Sequence, residues 1–372
     1  MLKRIICTLI AFLMIVPLLL ASCETDEETD TGKVTIEDEG QVIVSEKGTE
    51  KVEEVIEEEG LLDPSIPKYG GTLKLLGGDP MGFDETYAVH PNITTCMFTN
   101  EEMLRGDWAK GPAGTGETDW LEGFIGRVDL MEGSLAESWE TPDDETIIFY
   151  IRQGVHFHDK PPTNGREFDA YDAEWNMNMQ FDSPTSYLYG AYSRSGYNPT
   201  SIKAIDKWTL EIKAPQMHGL MVFVCGGFLW MYPKEVVDMY GDFKDWENAC
   251  GTGPFCLTDY VVSTSISYER NPSYWHRDKL HPESQIPYID GVKQLIIPDS
   301  STQIAALRTG KIDVHEAVRW EDAELLMKQN PELMYVVRIV APTVPVGRMD
   351  KEELPFKDIR VRHALCLAVN QQ

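Results

Sequence analysis

The stretch GTGPFCLTDYVVSTSISYERNPSYW, residues 251–275, decides the fold. Its centre predicts two consecutive β-strands, because it is rich in β-branched and aromatic residues. Before them, Gly251 and Gly253 predict a tight turn whose exit is set by Pro254. No GxxxxGK[ST] pattern follows this turn, so it does not predict a phosphate site. After the strands, Asn271 and the proline behind it predict a second turn, and the Tyr-Trp pair that follows is expected to pack rather than bind.

Strands and helices alternate without a fixed repeat on both sides of this stretch, which predicts an α/β assembly rather than a solenoid or a bundle. The helix at residues 168–181 is expected to begin with Asp169 as its N-cap. Gly310 is expected at the C-terminal end of another helix. The predicted strands lie at 72–76, 145–157, 201–214 (a hairpin), 291–299 and 311–314, and the predicted helices at 168–181, 300–310 and from about 358 onward.

The composition excludes two broad classes of protein. Apolar residues make up 42% of the 372 residues and aromatics 10%, so the chain can build real cores and is not disordered throughout. The formal net charge is −28, which argues against a nucleic-acid binder, since such proteins neutralise phosphates with Lys and Arg. Cofactors are not expected. The sequence contains no His-Glu-x-x-His helix, nucleophile elbow or P-loop, so it offers no support for catalysis.

The first 22 residues predict an export signal. Lys3 and Arg4 precede an uncharged run from Ile5 to Leu20, which is short of the roughly 20 residues that comfortably span a bilayer. The end of this region, Leu-Ala-Ser-Cys, resembles the lipobox of bacterial lipoproteins. That resemblance implies acylation of Cys23, while an ordinary signal peptide with an incidental cysteine, or an uncleaved anchor, is the alternative.

Residues 23–67 predict a disordered acidic tether. Residues 24–59 contain fifteen Asp and Glu against three Lys, a net charge of −12. Such a segment has too little apolar surface to order itself, and like charges keep it extended. Its expected role is to hold a folded domain away from the membrane.

Five cysteines remain once Cys7 and Cys23 are set aside, and an odd number leaves at least one free thiol. Cys250 and Cys256 could form a bridge across the GTGP turn in an oxidising compartment. Buried free thiols are the simpler expectation, and the sequence leaves the question open.

Four blocks, in this order, resemble extracytoplasmic solute-binding proteins of family 5, the oligopeptide and dipeptide binders. Together they cover about 300 residues. Each motif alone is weak, but their order behind a lipobox is specific. The blocks are GSLAESWETPDDETIIFYIRQGVHFHD (133–159), the opening stretch (251–275), STQIAALRTGKIDV (301–314) and LPFKDIRVRHALCLAVN (354–370).

This resemblance implies a two-lobed fold of the type II periplasmic-binding class, with an extra subdomain in the first lobe. The chain ends inside a predicted helix, so the second lobe is expected to be incomplete. The expected boundaries are 68–88 and 195–316 for lobe I, 89–194 for its subdomain, and 317–372 for the start of lobe II.

The resemblance also implies a function. A protein of this family captures a solute, most often an oligopeptide or dipeptide, and delivers it to an ABC-type permease driven by ATPase subunits. We therefore expect a monomer outside the cytoplasm, anchored to the membrane by lipid, which itself catalyses nothing. An oligosaccharide binder or a nickel-chelate binder of the same family is the alternative.

Candidate ligand contacts follow from regions that face the cleft in this family. The alternative for each aromatic among them is that it packs in the core. Arg348 lies where the family has a cleft strand of lobe II and could meet a carboxylate bidentately. The other candidates are Phe83, Tyr87, His90 and Thr94 in the loop after the first strand, and Trp230 in the glycine-rich CGGFLW segment.

The HFHD stretch suggests a second class of function. If it were a strand, His156 and His158 would share one face, with Asp159 as a third possible metal ligand. That arrangement would suit a secreted metal-dependent hydrolase. The family usually has a turn without metal at this place, so a structural role for the two histidines is the favoured interpretation.

Overall fold

The computed structural model describes residues 67–80, 82–83, 95–120, 128–192, 196–215, 225–227, 229–316, 318–337 and 352–368. All of them belong to one compact unit, Asp63–Gln372. The predicted signal peptide, Cys23 and nearly all of the predicted tether lie outside these residues. Within the described part of the chain, no helix has the length and apolar character needed to cross a membrane.

The described residues contain strands and helices in mixed order, as predicted. The strands are β1 (Thr72–Gly77), β2 (Leu104–Gly106), β3 (Met131–Gly133), β4 (Ala136–Glu140), β5 (Thr146–Ile151), β6 (Ser201–Asp206), β7 (Thr209–Lys213), β8 (Phe255–Val261), β9 (Ser265–Arg270) and β10 (Gly291–Ile296). The helices are α1 (Ala170–Asp182), α2 (Tyr187–Ala191), α3 (Lys234–Tyr240), α4 (Ser300–Arg308), α5 (Trp320–Gln329) and α6 (Ile359–Ala368).

The opening stretch forms the β8–β9 hairpin of a four-stranded sheet ordered β1-β10-β9-β8. β1 and β10 are parallel, whereas β10–β9 and β9–β8 are antiparallel. Consequently β1, β10 and β8 all run in the same direction, and their carboxyl ends lie along one edge of the sheet. The predicted strand at residues 311–314 is reduced to a single parallel bridge between Leu75 and Val314.

A second four-stranded sheet, ordered β4-β5-β7-β6, is entirely antiparallel. It contains the predicted hairpin at residues 201–214. Since β5 pairs directly with β7, the domain boundary expected between residues 194 and 195 runs through one hydrogen-bonded sheet. Residues 201–213 therefore belong structurally with β4 and β5. The sequence could not show this pairing, because it joins segments about 60 residues apart.

The helix α1 covers this second sheet. Asp169 is its N-cap, as predicted, and its carboxylate accepts the backbone N–H groups of Tyr171 and Asp172. The side chain of Asp172 in turn accepts the N–H of Asp169, which completes a capping box. Met177 of α1 is fully buried among side chains of the second sheet and forms part of the larger of two apolar cores. The smaller core lies on the first sheet and includes Phe83, Leu257, Ile266 and Val292.

All five cysteines in the described part of the chain are free thiols. Cys96, Cys225 and Cys250 are buried, whereas Cys366 is exposed. Burial raises the pKa of the Cys256 thiol to about 11. A thiol with so high a pKa carries almost no thiolate at neutral pH and reacts slowly.

The helix predicted from about Asp358 is α6, and it lies on the surface. Its side chains Ile359 and Leu365 are 59% and 39% exposed. Residues 334–337, Met-Tyr-Val-Val, are also exposed, Met334 almost completely. Most large apolar side chains in the described segments 320–337 and 352–368 are thus exposed, in contrast to those of the two cores.

The GTGP turn shows why glycine is required there. A Cβ atom on Gly251 would lie 2.1 Å from the carbonyl oxygen of Thr99, and one on Gly253 would lie 2.6 Å from its carbonyl carbon. Both distances are far below any real Cβ contact, and the obstructing atoms are backbone. Close approach of two backbone segments, rather than a left-handed conformation, therefore demands glycine at these two positions.

We expect Gly253→Ala to destabilise the protein by about 2 kcal/mol or more, because the backbone of Thr99 has to shift. Gly190→Ala is the matched control, since a Cβ there meets no atom within 4 Å. In the helix α2 that substitution should be neutral or stabilise by up to about 1 kcal/mol. Denaturant unfolding of both variants measures the difference, and equal midpoints would contradict the close-approach argument.

Candidate functional site

The carboxyl edge of the first sheet brings together the loop after β1, the tip of the β8–β9 hairpin (residues 261–264, the β8–β9 tip) and the start of α4. In open α/β sheets, ligands bind outside the carboxyl ends of the strands. The candidate Phe83 follows β1 at this edge. This edge is therefore the candidate functional site.

Asp79 fixes the β8–β9 tip to the loop after β1. Its carboxylate accepts hydrogen bonds from the Ser263 backbone N–H at 2.7 Å, the Ser263 hydroxyl at 2.8 Å and the Tyr260 hydroxyl at 2.8 Å. These bonds, chiefly the one from the Ser263 N–H, lower the pKa of Asp79. The tip so held presents Val261 and Val262, which are 46% and 68% exposed. Two adjacent valines thus stand at the rim of the candidate site.

Phe83 is placed beside the candidate site but faces inward. Its side chain is only 5% exposed, and its ring packs edge-to-face on Tyr260 with centroids 5.7 Å apart. Its backbone N–H donates to the carbonyl of Phe243 at 3.0 Å. Phe83 therefore packs in the smaller core, which was the alternative expectation for each candidate aromatic. Tyr87, His90, Thr94 and Arg348 lie outside the described residues, and their roles stay predictions.

Trp230 belongs to a different part of the molecule. It is half-buried and packs against the larger core, whereas Phe83 lies in the smaller one. Its carbonyl accepts a hydrogen bond from the Gln180 side chain of α1 at 2.8 Å. The indole nitrogen of Trp230 is buried and has no hydrogen-bond partner in the described structure.

Glu101, which the sequence did not single out, anchors the Tyr-Trp pair of the opening stretch. Its buried carboxylate accepts hydrogen bonds from the Tyr274 hydroxyl at 2.8 Å and the Trp275 indole at 3.0 Å. Burial raises the pKa of this carboxyl group, and the two hydrogen bonds counteract that rise. Tyr274 is itself buried, so the expectation that it packs is confirmed. The sequence offers one clue, since the adjacent acids Glu101 and Glu102 directly precede the apolar pair Met103 and Leu104.

The two histidines of HFHD lie in different environments. His158 is buried, and both of its ring nitrogens contact the backbone of the GTGP turn: Nε2 lies 3.1 Å from the Gly253 carbonyl, and Nδ1 accepts the Gly251 N–H at 3.4 Å. His156 is exposed, with Nδ1 2.7 Å from the Gly165 carbonyl. Because His158 has no ring nitrogen left for a metal, the pair does not form the metal site considered as the alternative, and the contacts of His158 agree with the favoured structural role. No group of three metal-binding side chains occurs among the described residues.

These observations define the class of protein. A mixed sheet accompanied by a second, antiparallel sheet is a fold that this chain shares with two-lobed periplasmic binding proteins. Their structures superpose on this one. The protein DppA from Helicobacter pylori, in complex with the peptide STSA, aligns with a TM-score of 0.56 at 24% identity, covering 71% of this chain and 50% of that chain. MoaA from A. tumefaciens R10, in complex with mannopinic acid, aligns with a TM-score of 0.58 at 20% identity, covering 82% and 56%.

The chain belongs to the bacterial extracellular solute-binding proteins, family 5, whose middle-region model matches residues 131–372. The resemblance inferred from the four sequence blocks is thereby confirmed. Among curated relatives, heme-binding protein A of Haemophilus influenzae is 28% identical over 262 residues, covering 66% of this chain and 46% of the relative. The periplasmic oligopeptide-binding protein OppA of Escherichia coli is 28% identical over 273 residues, covering 68% and 48%. The chain thus spans about half the length of the relatives it matches.

A pH dependence of stability follows from the contacts of His158. Burial lowers the pKa of this imidazole from 6.5 to about 4, so the folded state holds it neutral. Its contribution to stability is complete above pH 6.5 and declines as the pH falls from 6.5 towards 4, because the unfolded chain takes up the proton first. Between pH 7 and pH 5 we expect a loss of about 2 kcal/mol from this group.

Unfolding of the wild type and of His158→Gln at pH 7 and pH 5 measures this effect. The variant should be less stable at pH 7, yet it should lose about 2 kcal/mol less on acidification than the wild type. A variant that keeps the full pH dependence would show that another group is responsible.

Proposed function

We propose that this protein is the membrane-anchored substrate-binding component of an ABC importer, and that its solute is an oligopeptide or dipeptide. The match of the family model to residues 131–372 carries the proposal. The carboxyl edge of the first sheet supports it, since this is where such a sheet can bind a ligand. In this proposal the protein works as a monomer outside the cytoplasm.

The names of two relatives favour a peptide as the solute. OppA of Escherichia coli is an oligopeptide-binding protein, and DppE of Bacillus subtilis, 25% identical over 284 residues, is a dipeptide-binding protein. Other relatives carry the names of heme- and deoxycholate-binding proteins, so family membership alone does not fix the ligand. An oligosaccharide or a nickel chelate remains the alternative that experiment has to separate from a peptide.

The proposed mechanism is capture by closure. The solute first contacts one lobe at the carboxyl edge, and a hinge movement then encloses it between both lobes. Contacts that exist only in the closed form shift the population towards it. The hydrogen bonds of Asp79 support this mechanism, because they hold the rim of lobe I rigid while the lobes move. Delivery to the permease and hydrolysis of ATP belong to the partner subunits.

The domain arrangement is proposed in corrected form. We assign residues 68–88 and about 215–316 to lobe I, and about 89–214 to its subdomain, since β6 and β7 pair within the second sheet. Residues 317–372 begin lobe II.

A metal-dependent hydrolase is a weaker candidate. It required His156 and His158 to act together, and the backbone contacts of His158 argue against this.

Ligand-induced stabilisation tests the solute class. In a thermal-shift screen of the complete gene product, we expect short peptides to raise the melting temperature. At one hundred times the dissociation constant, binding adds about 2.7 kcal/mol to the stability of the folded state. Oligosaccharides and nickel chelates serve as matched controls and should leave the melting temperature unchanged. Stabilisation by one of these, with none by peptides, would replace the peptide proposal by that alternative.

Membrane retention tests the anchor. We expect Cys23→Ala to lose lipid labelling and to appear in the soluble fraction, since a thiol is the only attachment point for the diacylglyceryl group. Cys7→Ala, a cysteine inside the predicted signal, is the control and should stay with the membrane. Persistent lipid labelling of Cys23→Ala in a fractionation experiment would disprove the lipid anchor.

A further inference from the structure

The strand β6 forms one edge of the second sheet, with only β7 beside it among the described strands. An edge strand presents backbone N–H and C=O groups that no neighbouring strand satisfies, and such a row can pair with another chain. Proteins protect their edges with proline, with a bulge or with a covering element. The sequence of β6, SIKAID, contains no proline, and its one irregularity lies towards its end, between Ala204 and Asp206. The edge up to Ala204 therefore depends on a covering element.

The backbone groups of Ile202 and Ala204 are the ones that point away from the sheet. The Trp208 carbonyl, directly before β7, accepts the Ile151 N–H of β5 at 2.8 Å. Because successive residues of a strand direct their backbone groups to opposite sides, alternate residues of β7 bond to β5 and the residues between them bond to β6. The register pairs Lys203 with one of the residues that bond to β6. Its two neighbours in β6 consequently face outward.

The helix α1 supplies partners for both outward-facing residues. The Glu174 carboxylate accepts the Ala204 N–H at 2.9 Å, and the Asn178 side-chain amide donates to the Ile202 carbonyl at 3.3 Å. Asn178 is itself held in place, since its amide nitrogen also donates to the Glu174 carbonyl at 2.8 Å. One side chain thus accepts and the other donates, as the carbonyl and N–H groups of a paired strand would.

The spacing of the two elements makes this match possible. Residues i and i+4 of an α-helix lie on one face, about 6 Å apart along its axis. Residues i and i+2 of a strand lie about 7 Å apart and direct their backbone groups the same way. One step from Glu174 to Asn178 therefore spans about the same length as the step from Ala204 to Ile202. Since the earlier helix residue meets the later strand residue, α1 runs antiparallel to β6.

We propose that Glu174 and Asn178 act as a strand substitute that closes the β6 edge, and that β6 pairs with the same edge of a second copy when they are removed. The helix itself packs on the face of the sheet through the buried Met177, and these two side chains reach from it to the edge. A second copy is the partner that the geometry favours, because antiparallel pairing of two identical edges about a two-fold axis satisfies both rows at once. The strand substitute agrees with the monomer of the proposed function but does not depend on the solute.

Hydrogen exchange and sedimentation of the complete gene product provide the test. In Glu174→Ala/Asn178→Ala, we expect the segment 201–206 to exchange about tenfold faster or more in dilute solution, since its outward groups lose their partners. As the concentration rises, this variant should form dimers or larger species, and the same segment should regain protection. Glu174→Gln, which keeps an acceptor oxygen, and Asp182→Ala, which removes an exposed acidic charge from the same helix, are the matched controls and should behave like the wild type.

The proposal is overturned if the double variant stays monomeric at every concentration, or if its segment 201–206 exchanges no faster than in the wild type. Association that leaves this segment unprotected would point to another surface, and protection that returns only on adding an extended peptide would point to another partner; both contradict pairing with a second copy. Where the double variant does not fold, Glu174→Ala and Asn178→Ala give the same comparison singly. A failed peptide screen leaves these results unaffected, so this inference and the proposed function can fail separately.

Discussion

The structure depends on a short buried polar segment, Thr99 to Glu102, to which three distant parts of the chain are attached. The Thr99 carbonyl accepts the Gly253 N–H at 3.0 Å, and Asn100 donates to the Met231 carbonyl at 2.7 Å. The Glu101 carboxylate receives the Tyr274 and Trp275 donors. Glu102 accepts the Leu229 N–H at 2.8 Å. One segment thereby joins the first sheet to the subdomain.

The chemistry of this segment explains why a carboxylate is present at position 101. Tyr274 and Trp275 both donate hydrogen bonds, so the buried group between them has to supply acceptors. Oε1 of Glu101 accepts from the Tyr274 hydroxyl at 2.8 Å and Oε2 accepts from the Trp275 indole at 3.0 Å. A buried charge whose partner is removed destabilises a protein by about 3 to 5 kcal/mol. Burial of the Glu101 carboxylate is thus favourable only while Tyr274 and Trp275 donate to it. This requirement couples the folding of the first sheet to that of the subdomain.

A second buried contact, next to Trp275, depends on the protonation state of His276. His276 lies 2.6 Å from a guanidinium nitrogen of Arg105 through its Nε2 atom, and Arg105 also pairs with Glu132 at 2.8 Å. Burial lowers the pKa of His276 to about 3, so the ring is neutral and can accept from the guanidinium. His158 is likewise neutral against the GTGP turn. His276 therefore accepts a hydrogen bond, whereas His158 accepts at Nδ1 and donates at Nε2, and both neutral rings have structural roles at physiological pH.

Local patterns in the sequence predicted the local structure. The Asp169 cap, the β8–β9 hairpin and the start of α6 each follow from a few neighbouring residues, because capping and alternation are short-range effects. The pairing of β5 with β7 and the contacts of Glu101 join residues far apart in the chain. No short-range pattern encodes them. For the same reason, the sequence predicts only a turn at Gly253. The requirement for glycine there comes from the backbone of Thr99, which is distant in the chain and packs against it.

The same contacts show why the recognisable motifs do not identify the solute. His158 of the HFHD block is bound to the GTGP turn, Asn271 donates to the Gly253 carbonyl at 3.1 Å, and the Tyr-Trp pair is bound to Glu101. Side chains already paired with one another are not available to a ligand. In the proposed function, specificity therefore comes from residues outside these motifs, at the carboxyl edge of the first sheet and in lobe II. Because each relative can change those residues without disturbing the buried contacts, one scaffold can serve peptides in one protein and quite different solutes in another.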